Sequence, residues 1–110
     1  MPAPMVVMPV TQSIQMQYMA DHNKLTASLV GLASLDQRRT MIGNFIYPFV
    51  SEILFNQLHI GQNTMLAGKV TGMIISLQEA ELMYATGTFE TLLSKVREAI
   101  NLIQASGLLI

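Results

Sequence analysis

The stretch Leu66-Ala67-Gly68-Lys69-Val70-Thr71-Gly72-Met73-Ile74-Ile75 decides how this chain is to be read. It has the composition of one helix carrying two internal glycines. A glycine in a helix interior costs roughly 0.5 to 1 kcal/mol relative to alanine, so Gly68 and Gly72 call for a reason to lack side chains. Four residues apart, they share one helix face and open a shallow trough where a backbone or an inserted ring can come close. The plain alternative is that both glycines serve only close helix packing in a core.

Upstream, Met41, Ile42, Phe45, Ile46, Phe49, Val50, Ile53 and Leu54 form a double apolar track. A stripe this wide belongs to the central helix of a small bundle, contacted on two sides. Ser34-Leu35-Asp36-Gln37 has the form of a capping box that starts this second helix. Pro48 lies inside it and predicts a kink over residues 44–47. The pattern fades over residues 55–63, where Gly61 and Asn63 read as a helix stop and a turn.

Leu25, Leu29 and Leu32 predict a short first helix over residues 24–33. Residues 1–23 hold Pro2, Pro4, Pro9, Gln12, Gln15, Gln17 and five of the nine methionines, without sustained periodicity. They read as a flexible linker, with Met16, Tyr18 and Met19 packing back on the domain as the lesser alternative.

Downstream of the glycine-bearing helix, Ala80, Leu82 and Met83 predict a short fourth helix over residues 78–84, ended by Gly87. Thr88 is a good N-cap, and Glu90 in the first turn suits the helix dipole. Leu92, Val96, Ala99, Ile100 and Ile103 then make a one-sided stripe for a fifth helix that Gly107 ends, leaving residues 108–110 as a tail. The expectation is an all-α domain of five short helices, stacked or bundled.

Composition narrows the function. Half of the 110 residues are apolar (51%) and only 12% are charged, about half the usual charged share. A surface so poor in charge suggests extensive burial or an apolar face left for a partner. Lys24, Arg38, Arg39, Lys69, Lys95 and Arg97 are scattered against seven acidic residues, without the basic stripe that a nucleic acid demands. Direct RNA binding by this segment is therefore not expected. There is no cysteine, which removes disulfides and thiol chemistry and favours an intracellular setting. The most apolar segment, residues 42–58, is interrupted by Asn44, Pro48, Ser51, Glu52, Asn56 and Gln57, so no membrane span is expected. The apolar start has three prolines and no basic residue before it, unlike a secretory signal.

No catalytic constellation emerges. His22 and His59 are far apart and lack ligand spacing to a second His or a Cys, so neither metal nor cofactor is expected. Glu79 and Glu81 point to different sides of a helix and do not form a working carboxylate pair. The serines lack a nucleophile elbow, and no glycine run matches a phosphate loop. The chain reads as a non-enzyme.

Lys69-Val70-Thr71-Gly72-Met73-Ile74-Ile75-Ser76 resembles the Lys-Ile/Val-Thr-Gly-Met-Leu-Leu-Glu signature of the MLLE domain, also called PABC, found at the C-terminus of cytoplasmic poly(A)-binding proteins. Lys24-Leu25-Thr26-Ala27-Ser28-Leu29 looks like the family's opening helix. Met41-Ile42-Gly43 with Tyr47-Pro48 is similar to its second-helix pattern of Met-Leu-Gly followed by Phe-Pro. Ser94-Lys95-Val96, Glu98-Ala99 and the segment 102–104 look like its last helix. The resemblance covers about residues 24–106.

The resemblance implies a right-handed stack of four or five short helices over residues 24–107. It further implies a non-catalytic peptide-binding adaptor that recruits translation and deadenylation factors through an extended PABP-interacting motif with Leu and Phe anchors. The phenylalanine would enter between the second and third helices, near Thr40, Gly43, Asn44, Tyr47, Lys69, Thr71 and Gly72. The leucine would sit between the third and fifth, near Met73, Ile75, Lys95, Val96 and Ala99. Lys69 and Lys95 would attract acidic residues of the peptide, and Gly68 would remain a packing residue. A cytoplasmic host whose other domains bind poly(A) RNA is implied as well.

Four departures bear on specificity. Ser76 replaces the signature glutamate, Ile74 and Ile75 replace its leucines with stiffer β-branched residues, and Thr40 and Asn44 stand where many members have Gln and Glu. The segment between Pro48 and Leu66 is longer by about nine residues. Two alternatives remain open: a helical self-association module using the same apolar surface and the 108–110 tail, and the same domain in a ubiquitin ligase or RNA-transport protein.

Overall fold

A computed structural model describes residues 10–60 and 63–106, with side chains from Ile14 onward. Its elements are α1 (Val10–Leu29), α2 (Leu35–Glu52), a π turn (Ile53–Gln57), α3 (Thr64–Ile75), α4 (Glu79–Ala85) and α5 (Phe89–Ala105). No strand occurs among the described residues, so the all-α expectation holds. The helix caps follow the sequence closely. Ser34 Oγ accepts the Gln37 N–H at 3.4 Å, which is one half of the expected capping box. Thr88 and Thr91 cap each other reciprocally at the start of α5, where Thr91 takes the place usually filled by Glu or Gln.

α2 is the central helix, as its double track predicts. It packs most extensively on α3 and also touches α1 and α5. Ile42, Ile46, Phe49 and Val50 are buried along it, and Pro48 lies inside without ending it. Proline has no N–H to offer the carbonyl four residues back, and the affected Asn44 is on the exposed side, where water can serve that carbonyl. After Glu52 the chain widens into the π turn, with Leu58 N–H donating to the Ile53 carbonyl at 2.9 Å. The turn keeps Ile53 and Leu54 in the core and leaves Phe55 outside. His59, at φ 54°, then redirects the chain toward α3. The stop expected at Gly61 lies outside the described residues; Asn63 is the N-cap of α3, its Oδ1 accepting the Leu66 N–H at 3.0 Å.

The linker expected over residues 1–23 is corrected over its second half, because α1 runs unbroken from Val10 through Leu29. Residues 1–9, with all three early prolines, lie outside the described residues. What holds the helix is Tyr18, fully buried against Phe45, Phe49 and Phe89 at ring-centroid distances of 5.0, 4.8 and 5.9 Å. Its hydroxyl donates to the Thr86 carbonyl at 2.5 Å, tying α1 to the turn between α4 and α5. Burial pushes that hydroxyl's pKa well above its ordinary value. A buried ring of this size contributes about 1.5–3 kcal/mol by removal from water, and each favourable ring pair adds about 0.5–1.5 kcal/mol. Met16 and Met19, the other residues considered for packing back, stay exposed.

α4 ends at Ala85, and a Cβ on Gly87 would stand 3.2 Å from the Met83 carbonyl oxygen, closer than a side chain tolerates comfortably. Arg38 and Arg39, the one adjacent basic pair, are both engaged internally. Arg38 pairs with Glu79 at 2.7 Å and donates to the Leu32 and Ala33 carbonyls. Arg39 donates to the Leu77 carbonyl at 2.9 Å, joining the start of α2 to the end of α3. The expected end of α5 at Gly107 and the tail lie outside the described residues.

Candidate functional site

α3 is flanked by α2 on one side and α5 on the other, and the glycines of the opening stretch lie on its outer surface. A Cβ placed on Gly68 or on Gly72 would meet nothing within 4 Å. Gly72 therefore opens the expected trough. Gly68 does so as well, which corrects its reading as a packing residue: it is exposed and no neighbouring helix approaches it.

Gly43 is the glycine that faces a neighbouring helix. A Cβ there would lie 3.5 Å from Ile75 Cδ1 and Cγ2 and 3.9 Å from Thr71 Cγ2, so α2 meets α3 at this point. Ile75 is thus turned toward α2. Its expected place beside the leucine anchor, between α3 and α5, is corrected by that contact. Thr71 is buried next to Gly43, and its hydroxyl has no hydrogen-bond partner. A buried, unpaired hydroxyl is costly.

The other residues expected around the aromatic anchor do not share one hollow. Thr40 and Asn44 line a shallow depression of about 440 Å³ with Leu32, Asp36, Gln37 and Met41. Tyr47 lines a different one of about 290 Å³ with Pro48, Ser51, Glu52, Leu54, Phe55, Asn63 and Thr64. Gly43 and Thr71 meet at the α2–α3 contact, Gly72 faces open space, and Lys69 is exposed on α3. Ser76, which replaces the signature glutamate, closes α3: its hydroxyl donates to the Gly72 carbonyl at 2.7 Å.

On the α5 side the expected residues converge better. Met73, Lys95 and Ala99 line a depression of about 90 Å³ together with Ile74, Leu77, Glu81, Glu98 and Leu102. Val96 is fully buried and belongs to the core under this surface. Leu102, Glu98 and Leu77 were not anticipated. Positions 95, 98, 99 and 102 follow helical spacing, so the stripe through Lys95 and Ala99 was the signal that pointed to Glu98 and Leu102, while Leu77 comes from beyond the end of α3.

The charge on this rim also differs from expectation. Lys95 Nζ lies 2.9 Å from Glu81 Oε1 and 3.3 Å from Glu98 Oε2. The hydrogen bond to Glu81, then that to Glu98, raises the Lys95 pKa above its ordinary value. With two carboxylates around one ammonium, the rim carries net negative charge, and Lys95 is not the free cation that the sequence suggested.

No group of His, Cys, Asp and Glu suited to a metal ion occurs among the described residues. No described helix is long and apolar enough to cross a membrane.

Comparison with known proteins adds the family. The model of the MLLE domain matches residues 30–103. Polyadenylate-binding protein 5 of Arabidopsis thaliana is 34% identical over 80 residues, covering 73% of this chain and 10% of that protein. The chain thus spans about a tenth of the length of this curated relative. No solved structure gives a significant match. The matched span holds all of α2, α3 and α4 and nearly all of α5, with the glycine-bearing signature at its centre, and the chain belongs to the MLLE domain family.

Proposed function

We propose that this chain is a non-catalytic adaptor domain that binds an extended peptide along α3, with an aromatic anchor on the α2 side and an aliphatic anchor on the α5 side. The observation that carries this reading is membership of a protein-interaction family whose signature glycine, Gly72, stands here over open space. The aromatic ring lies over Gly72, bordered by Gly43, Thr71, Ile75 and Tyr47, with Thr40, Asn44 and Lys69 at its margins. The aliphatic anchor enters the depression lined by Met73, Leu77, Lys95, Ala99 and Leu102, over the buried Val96. Extended-peptide recognition of this kind uses pockets for spaced side chains.

Its host is a protein of the poly(A)-binding type, in keeping with the name of the Arabidopsis relative. The partners are cytoplasmic translation and mRNA-turnover factors carrying a motif with spaced Leu and Phe, while RNA is bound by parts of the host outside this segment.

Calorimetric titration with a peptide carrying spaced Leu and Phe tests the reading. Saturable one-to-one binding is expected, weakened by Tyr47→Ala while circular dichroism stays helical. Absence of binding, together with dimerisation that grows with concentration, would replace this reading with self-association.

A further inference from the structure

The depression beside Tyr47 lies on the segment that is longer than the family pattern, and Tyr47 is the one residue that it shares with the two-anchor reading. Its walls come from the end of α2 and the π turn (Tyr47, Pro48, Ser51, Glu52, Phe55) and from the start of α3 (Asn63, Thr64). We infer that it is a third subsite of the same groove, taking a bulky apolar side chain of the bound peptide beyond the aromatic anchor. This inference rests on the peptide-binding reading and extends it.

Three observations support the assignment. The first is continuity. Gly43 meets Thr71 and Ile75, while Tyr47 to Phe55 share a hollow with Asn63 and Thr64, so α2 and α3 run antiparallel. On α3, Gly72, Gly68 and Thr64 follow one another at helical spacing along a face where both glycines are open. The trough at the aromatic anchor therefore leads past Gly68 into this depression.

The second is Phe55. Of the four phenylalanines it is the exposed one, at 46%, and the π turn is what leaves it outside while Ile53 and Leu54 are buried. π turns are rare and occur frequently at functional sites. An aromatic ring facing water beside Pro48 and Tyr47 is a surface suited to an apolar partner.

The third is charge. The lining contains one carboxylate, Glu52, and no lysine or arginine, so an acidic residue is disfavoured there. The Glu52 carboxylate is itself tied to the Asn56 side-chain amide.

Geometry sets the position of the occupant. Thr64 is about 12 Å from Gly72 along the helix axis at ~1.5 Å per residue. An extended peptide crosses that distance in roughly three to four residues at ~3.3 Å each.

The test compares three peptides on the wild-type chain: one ending at the aromatic anchor, one extended by four residues with Leu at the third and fourth added positions, and the same extension with Glu there. The Leu extension is expected to bind about five- to twentyfold more tightly than the short peptide, as partial burial of one apolar side chain allows. The Glu extension should show no gain. Phe55→Ser should remove the gain and leave the short peptide's affinity unchanged, and Thr64→Trp, which fills the hollow from an exposed position, should do the same. Equal binding of short and Leu-extended peptides, or a gain that survives both substitutions, overturns the third subsite alone. Failure of the short peptide to bind overturns the two-anchor reading and the subsite with it. Dimerisation of the wild-type chain that Phe55→Ser abolishes would give the hollow to a second copy and overturn the proposal.

Discussion

The two sides of α3 are built from opposite materials. Toward α2, the surface is shaped by missing side chains: Gly72 and Gly68 leave open space, and Gly43 faces Ile75 and Thr71. Toward α5, it is shaped by long side chains, with Met73, Leu77 and Leu102 around a small hollow and Lys95 held between Glu81 and Glu98. A surface made by absence discriminates by size, since any added atom takes the place of the guest. A surface made by flexible side chains adapts to shape and discriminates by charge.

The largest effect is expected from filling the α2 side. Gly72→Trp places an indole where the aromatic anchor would lie, and peptide affinity should fall about a hundredfold, as for loss of a central anchor. The fold should survive, because a Cβ at Gly72 meets nothing within 4 Å. Retained helicity with undiminished binding would show that the trough is not the aromatic site.

Next is the aliphatic side. Leu102 is 57% exposed, so Leu102→Ser should leave the core intact while removing an apolar wall of the hollow. Affinity should fall about five- to tenfold in titration. A peptide with Ala in place of the Leu anchor should bind wild type and variant alike; a further loss with that peptide would mean that Leu102 acts elsewhere.

These two sides were not equally legible in the sequence. The glycine pair, the caps at Ser34 and Thr88 and the stripes of α2 and α5 follow local rules, and the helices they mark are present. α1 was missed between Val10 and Asn23 because its buried face is narrow. Ile14, Tyr18, Leu25 and Leu29 follow helical spacing only if His22 is counted among them, and His22 does stack on Tyr18 at 6.0 Å. The prolines that argued against a helix all precede Val10. At the candidate site, Met73, Lys95 and Ala99, grouped by the sequence reading, line one hollow, and Gly72 faces open space. It could not tell that Ile75 faces Gly43 or that Glu81 reaches Lys95 from another helix, because both depend on how helices meet. The π turn had no local signature.

A third test separates the two open glycines. Gly68→Ala and Gly72→Ala each add a methyl group in free space and remove glycine's helix penalty, so each should stabilise the domain by about 0.5–1 kcal/mol in denaturant unfolding. Only Gly72→Ala should also weaken the peptide ending at the aromatic anchor. Destabilisation by either substitution would restore the packing role that the structure denies to Gly68.

The smallest effect concerns charge on the α5 side. Lys95 lies between two carboxylates, so a peptide with Lys beside its aliphatic anchor should bind about two- to threefold more tightly than one with Glu there. Glu98→Gln should narrow that preference and Lys95→Gln should widen it, since the first removes negative charge from the rim and the second removes its only cation. The preference should fade between about 0.1 M and 1 M salt, as the screening length falls from about 10 Å to 3 Å. The same charge exchange beside the aromatic anchor should not respond to either substitution, because Glu98 and Lys95 line the α5 hollow and not the trough. A preference for Glu at the aliphatic side would mean that Lys95 leaves Glu81 and Glu98 when the peptide arrives, and the α5 side would then be remade by its guest.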